Sequence, residues 1–342
     1  MARRDVVVIG GSAGAHKPLA QALARLPADL QATILVVLHV APGARAALAD
    51  SLASSCALPI RAAADGDRIE PGRVYVAVPD RHLLVDEGDV LRLSGGPRQN
   101  RVRPAVDALF RSAARWCGSR VVGVVLSGSL DDGSAGLAAI TAAGGAGLVQ
   151  DPAEARFPGM PRAALRVTPD ALAVPSADLG EAIAKLAGVP ADIANGPAEP
   201  LIWETDMLAY GASNISDRGQ PVGLGCPECR DGLYLVRTGL AAHYVCHVGH
   251  SYSPRSLLAV RDDDIEESIW AAVSALQEKV MIMEELVDQS ERAGDTAAAD
   301  AYRARAERAG HAAKVLQKHV DLSADTRDTR RPDTDRTRSA SA

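Results

Sequence analysis

Two kinds of hydrophobic pattern divide the chain. Up to about residue 190, short unbroken apolar runs alternate with amphipathic stretches; from residue 262 onward, apolar residues recur only at helical spacing. Asp5 to Ile9, Ala32 to Leu38 and Arg120 to Leu126 are rich in Val, Ile and Leu with no polar face. That pattern suits strands of a parallel sheet covered on both sides. Lys17 to Leu26 reads as the helix returning across the sheet, and a helical segment through Ser54 follows a polar turn at Ala41-Pro42-Gly43. Between Pro104 and Cys117, Val106, Leu109, Phe110 and Ala113 share one helical stripe. Arg73 to Val78 and His82 to Val85 read as short strands around a turn at Pro79-Asp80. A further extended pair reaches Leu93, and Gly147 to Gln150 forms another short strand. Such alternation predicts an α/β domain over residues 1–190, a mostly parallel sheet with helices on both faces.

The remainder has a different texture. Residues 191–224 are rich in Pro, Gly, Ser and Asn and read as a linker or packing arm. Residues 225–260 carry Cys226-Pro227-Glu228-Cys229, two strand-like pieces, then Cys246 and His250. Paired thiolates followed by a thiolate and an imidazole are the donor set of a structural zinc ribbon, with Gly249 supplying a tight turn before His250. His247 is the alternative fourth ligand, and spacing leaves the two open. A redox Cys-x-x-Cys would open a helix after a strand, which Pro227-Glu228 does not suggest. Over residues 262–321, Asp262-Asp263-Asp264 can cap a helix start. Ile265, Ile269, Val273, Leu276, Val280, Met283, Leu286 and Val287 form its stripe, Gly294-Asp295 breaks it, and Ala298 to Val320 forms a second helix. Met281 and Met283 read as packing positions. This predicts a C-terminal helical hairpin that buries one face on a helical partner in this chain or another. Residues 322–342 lack apolar positions and are expected to be disordered.

Composition narrows the setting. A length of 342 residues implies two or three units, and scarce aromatics (3%) leave the core to Val, Leu, Ile and Ala. A net charge of −6 gives no electrostatic support to a nucleic-acid partner. Five cysteines, three of them clustered late, suggest reduced thiols and a metal rather than a disulfide framework. With no apolar run long enough to span a bilayer and no leader before the first strand, a cytoplasmic protein is expected.

Candidate chemistry falls at strand ends, where open parallel sheets bind their ligands. The first strand ends in Gly10-Gly11-Ser12-Ala13-Gly14, in which three glycines are expected to let the backbone turn sharply. Gly10-x-Ser12-x-Gly14 matches the spacing of a nucleophile elbow. The same turn could open a dinucleotide fold, but the second strand ends in His39 rather than the carboxylate that would hold a ribose. The third long strand ends in Ser127 to Gly133, with Asp131 or Asp132 as a carboxylate. A serine, a histidine and an aspartate so placed are the parts of an activated nucleophile. Their order, Ser…His…Asp, excludes the α/β-hydrolase arrangement.

Several stretches together resemble the catalytic domain of the chemotaxis protein methylesterases, the CheB family. They are Val8 to Gly14, Val36 to Val40, Gly96 to Asp107, Leu126 to Gly136 and Gln150-Asp151-Pro152. The resemblance covers residues 5 to about 187. It implies hydrolysis of glutamate methyl esters on chemoreceptor helices, deamidation of receptor glutamines in some members, and no cofactor for catalysis. It maps the triad onto Ser12, His39 and Asp132, with Asp131 a solvent-facing or capping neighbour. The chain departs from the family at Ala13, where threonine is frequent, and at Ser129-Leu130, where Met-Gly is frequent. A strand starting at Asp5 leaves no room for a preceding receiver domain, so the resemblance carries ester hydrolysis further than it carries control by phosphorylation or the receptor as substrate. Arg101 and Arg103, in the Asn100 to Pro104 segment, are candidates to line the cleft and attract acidic receptor helices. A non-catalytic scaffold of the same fold and a dinucleotide-binding protein are the competing functions.

Overall fold

The computed structural model describes residues 3–39, 48–191, 197–211, 215–238 and 241–328, with side chains to residue 320. The turn expected at Ala41-Pro42-Gly43, Val40, and the chain beyond Asp328 lie outside them. Residues 1–258 form one compact unit and residues 259–342 a second.

In the first unit, seven strands form one sheet. They are β1 (Val6–Gly11), β2 (Thr33–Leu38), β3 (Ile60–Ala62), β4 (Val74–Val76), β7 (Val121–Val125), β8 (Ala146–Gln150) and β9 (Leu172–Val174). Between β4 and β7, β5 (His82–Asp86) and β6 (Val90–Ser94) pair as a separate antiparallel hairpin. The sheet order is β3-β4-β2-β1-β7-β8-β9, and every pairing is parallel. The chain lays strands on one side of β1, then returns to build on the other, so the order switches there.

Alternation along the strands separates two cores. Val6, Val8, Leu35 and Val37 face α3 (Val106–Cys117), α4 (Ser134–Ala142) and α5 (Gly159–Val167). Val7, Ile9, Ile34 and Val36 face α1 (His16–Ala24) and α6 (Leu179–Leu186), and α2 (Leu48–Leu52) adds Leu52 to that layer. Each fully buried aliphatic side chain contributes roughly 1.5–3 kcal/mol, so strands covered on both sides hold their register firmly. Gly10 and Gly11 differ from expectation: both lie in extended β1, and among the glycines of the turn only Gly14 has positive φ (75°). Gly10 is there for space, since a Cβ on it would lie 2.0 Å from Cγ1 of Val106. The start of α3 is thereby packed against the end of β1. Helix α3 begins at Val106 with Ala105 as its N-cap, so Pro104 precedes the helix rather than opening it.

The expected linker contains a helix, α7 (Glu199–Tyr210). Pro200 in its first turn starts it. Trp203 and Met207 pack with Ile215, Val236 and Val245, while Leu208 packs with Leu84, Ala105 and Ala108. The arm is therefore a wedge inside the first unit. Against it stands an antiparallel sheet of β10 (Gln220–Gly225), β11 (Gly232–Thr238), β12 (Ala241–Cys246) and β13 (Ser251–Tyr252).

Helix α8 (Pro254–Arg292) starts eight residues before the expected aspartate cap. Ser253 caps it, its Oγ accepting the Ser256 N–H at 2.9 Å, and proline follows at the first helical position. Asp262 to Asp264 lie within the helix. In the second unit the rest of α8 and α9 (Thr296–Asp328) are joined by a turn at 293–295, and Glu291 pairs with Arg303 across it. Val273, Met283, Ala299, Ala306, Ala309 and Ala313 are buried. Met281, expected to pack, is 68% exposed, because it falls off the stripe that Met283 occupies. Helix α9 runs to Asp328, so the first residues of the expected tail are helical. No helix among the described residues is long and apolar enough to cross a membrane.

Candidate active site

The ends of β1, β2 and β7 bring three expected residues to one edge of the sheet. Gly11 lies opposite Leu38, and the His39 N–H donates to the Gly11 carbonyl at 3.1 Å. Ser12 and His39 are therefore neighbours on adjacent strands, whose axes lie about 4.8 Å apart. On its other side Ser12 donates its backbone N–H to the Ser127 carbonyl at 2.9 Å. The Ser127 N–H is held in turn by the buried Gln150 side chain at 2.8 Å. Gly128 is obligatory beside the serine: a Cβ there would lie 2.9 Å from that of Ser12 and 2.0 Å from Sδ of Met160.

His39 Nε2 lies 2.7 Å from Oδ2 of Asp132. Among the described residues the Ser12 hydroxyl makes no hydrogen bond, and neither does the N–H of Ala13 after it. Asp132 sits at the N-terminus of α3, where its carboxylate accepts the N–H groups of Val106 (2.7 Å) and Asp107 (3.2 Å). Burial alone would push this carboxyl up. The His39 hydrogen bond and charge and the two helix N–H donors outweigh it and hold Asp132 below the usual carboxylate range. Asp131 is neither solvent-facing nor part of this pair. It is buried, its carboxylate accepts the Ser253 hydroxyl at 2.6 Å, and burial pushes its pKa up.

Other buried polar groups support the site. The Asn100 amide donates to Asp107 at 3.2 Å and to Asp132 at 3.1 Å. Asp107, which also accepts the Gly136 N–H at 2.7 Å, has its carboxyl pushed up, first by burial and also by Asp132. The buried His82 ring accepts the Ala105 N–H at Nδ1 (3.2 Å), which leaves Nε2–H to donate to the Pro97 carbonyl at 3.0 Å. Of the two candidate arginines, Arg103 is committed to Asp80 (2.7 Å) and to the carbonyls of Gly95 and Gly96. Arg101 is exposed.

Sequence reasoning singled out Ser12, His39 and Asp132 but gave no role to Asn100, Asp107 or Gln150. A signal existed for Asp107: with Arg111 it forms a charged i,i+4 pair on the apolar stripe of α3, and both are buried. Arg111 lies 3.1 Å from Glu204 of α7, and His243 of β12 lies 2.9 Å from the same carboxylate, close in charge but not aligned for a hydrogen bond. Burial pushes Glu204 up, but the charges of Arg111 and His243 prevail and bring it down to about 2.

In the β10–β13 sheet, one ligand atom each from Cys226, Cys229, Cys246 and His250 lies within 4.8 Å of all the others, a cluster able to hold a metal ion. Gly249 makes the turn before His250 with φ 100°. His247 stands outside the cluster, with Nδ1 on Asp231 at 2.9 Å and Nε2 facing the Tyr234 hydroxyl at 3.2 Å.

Comparison with known proteins points the same way as the geometry. A protein-glutamate methylesterase/protein-glutamine glutaminase of Anaeromyxobacter dehalogenans (strain 2CP-C) is 47% identical over 166 residues, 48% of each chain. One from Symbiobacterium thermophilum is 38% identical over 185 residues, 54% of this chain and 51% of the relative. The chain thus spans about half the length of the curated relatives it matches. The crystal structure of the Thermotoga maritima CheB methylesterase catalytic domain superposes with a TM-score of 0.52 at 31% identity, covering 54% of this chain and 98% of that one. The family model for CheB methylesterase matches residues 7–183, just over half of the 342, and the chain belongs to that family.

Proposed function

We propose that this protein is a cytoplasmic protein-glutamate methylesterase acting on methylated chemoreceptors, with Ser12 as nucleophile, His39 as base and Asp132 as its orienting carboxylate. The observation that carries the reading is the 2.7 Å pair of His39 Nε2 and Asp132, set beside Ser12 by the pairing of β1 with β2. With Nε2–H given to Asp132, Nδ1 is the ring atom free to take a proton. It takes that of Ser12 as Oγ bonds to the ester carbonyl carbon, then passes it to the methoxide that leaves as methanol. Water, deprotonated by the same nitrogen, cleaves the acyl-serine and restores a glutamate. A glutamine side chain would follow the same course and release ammonia. The Ala13 N–H, unused among the described residues, suits the oxyanion, and such a donor contributes a few kcal/mol. Apo geometry of this kind commonly tightens when substrate binds.

Arg101, which is exposed, is proposed to meet an acidic receptor helix, and Arg103 clamps the loop. Cys226, Cys229, Cys246 and His250 are proposed to hold a structural zinc in a ribbon-like module. A tetrahedral zinc sets its sulfur and nitrogen ligands about 3.5–3.8 Å apart; three of the six separations, 3.8, 3.6 and 3.5 Å, match this, and all six lie within 4.8 Å. Glu228 stands 3.3 Å from His250 Nε2, the outer-shell carboxylate that turns Nδ1 toward a metal. Four protein ligands leave no open position, so the ion takes no part in the reaction. The α8–α9 hairpin is proposed as the part that meets a helical partner.

The test is release of labelled methanol from methylated receptor membranes. Turnover by the wild type that disappears in Ser12→Ala supports the proposal; equal turnover by the two proteins refutes it.

A further inference from the structure

The loop that carries Asn100 joins the site to the Cys/His module. Asn100 and Arg101 both have positive φ, 51° and 68°. This conformation costs a residue with a side chain and persists only where the surroundings hold it. What holds it comes from residues 249–256. The Asn100 N–H donates to the Ser251 carbonyl at 2.7 Å, and Gln99 donates its side-chain amide to the Gly249 carbonyl at 3.0 Å. Ser251 pairs with Val245, next to Cys246, and the Cys246 N–H donates to the His250 carbonyl at 3.1 Å. The loop is therefore tied to the backbone on either side of the ligand His250.

The side chain makes the other half of the connection. Its Oδ1 accepts the Ser253 N–H and the Ser256 hydroxyl, both at 2.8 Å. Its Nδ2 donates to Asp132 and Asp107. A backbone N–H can only donate and an ionised carboxylate can only accept, so these partners fix which end of the amide is which. The two hydrogens of one NH2 group thus stand between two buried carboxyls. They leave the other oxygen of Asp132, at 2.7 Å, for His39.

We infer that Asn100 is a positioning residue for the Asp132 carboxylate, and that the metal-bound Cys/His module keeps Asn100 in place, so that occupancy of that cluster sets the alignment of His39. The inference rests on reading Ser12, His39 and Asp132 as the reacting groups. Without the module, Asn100 loses both partners of its oxygen and the strand edge that pins its backbone. The amide then swings away, and the two carboxyls meet with only one proton available to separate them.

The experiment uses the full chain, p-nitrophenyl acetate as ester probe, and the downfield imidazole N–H proton signal identified by its absence in His39→Gln. Asn100→Ala is expected to lower kcat about 10- to 100-fold, the usual effect of an outer-shell partner, with KM within about twofold. Asn100→Asp keeps the shape but puts oxygen where the NH2 stood, so it should be no better than alanine; activity near wild type would overturn the inference. Removing the metal with a chelator should bring wild type to the level of Asn100→Ala and leave Asn100→Ala itself unchanged, because both act through one contact. The His39 signal should shift alike in the stripped wild type and in Asn100→Ala, and stay in place in Ser12→Ala. Losses that multiply independently, or a His39 signal indifferent to both changes, would overturn the coupling. If the signal responds as expected while Ser12→Ala still turns over, the relay stands and the assignment of the nucleophile falls.

Discussion

The two candidate sites of the first unit are held by opposite means. Ser12, His39 and Asp132 hang from the ends of strands that are buried along their whole length on both faces. Cys226, Cys229, Cys246 and His250 hang from a sheet whose first strand, β10, is largely exposed. In one region packing fixes the side chains and chemistry is added at the rim. In the other, a metal held by the proposed ligands would supply the closure that a thin core cannot, as is usual where a structural metal stands in for buried area. The first should therefore tolerate loss of its functional groups with its fold intact, and the second should not.

The largest expected effect tests the first half of that contrast. His39→Gln or Asp132→Asn should lower esterase turnover by about 10³–10⁴-fold while hydrogen exchange of β1, β2 and β7 stays as slow as in wild type. Faster exchange there would mean that the pair bears on stability as well. Next, chelation of the metal should abolish the slow exchange of β10–β13 amides and spare the parallel sheet, a selectivity read by native mass spectrometry with peptide-resolved exchange. Uniform loss across both sheets would erase the distinction.

A subtler effect concerns two buried groups of the packed half. His82 is pushed down to about 4, chiefly by burial, whereas the unfolded chain protonates it near 6.5. Its contribution to stability is complete above about pH 6.5 and is lost as pH falls toward 4, roughly 3 kcal/mol in all. Asp107 acts in the opposite sense. Its folded carboxyl keeps a proton above the usual range, so its contribution shrinks as pH rises. The urea midpoint of the wild type should thus vary little over that interval. His82→Gln should be less stable throughout and lose further stability with rising pH; a midpoint that rises with pH in the variant contradicts the assignment. Smallest of all, Arg101→Glu should raise KM for a receptor substrate about 3- to 10-fold without changing kcat, whereas Arg103→Ala should act on thermal stability instead.

The parallel sheet and its rim were legible because β-branched runs such as Val6 to Ile9 leave little freedom of interpretation, and because Ser12, His39 and Asp132 each interrupt such a run. Helix α7 was not, since Pro200 and the surrounding Gly and Asn look like a linker until Trp203, Met207 and Leu208 are seen to enter two different cores. The start of α8 was assigned to three aspartates although Ser253-Pro254 carries the stronger start signal, a capping hydroxyl followed by proline. Asn100 was beyond reach, because nothing local distinguishes an amide whose partners include one more than 150 positions away in sequence from an amide in an ordinary turn.

The Arg111–Glu204–His243 cluster bears on where this chain can be cut. The stretch shared with relatives ends near residue 183, yet Arg111, 4% exposed, lies inside that stretch while its nearest carboxylate lies outside it. A fragment stopped at that border would lose Glu204 and keep, of the two carboxylates paired with Arg111 among the described residues, Asp107 at 4.0 Å; removing one partner of a buried pair costs about 3–5 kcal/mol where the other stays buried. Homology marks a boundary here that electrostatics does not respect: a piece that keeps this cluster whole runs on through the helix that brings Glu204 and the strand that brings His243.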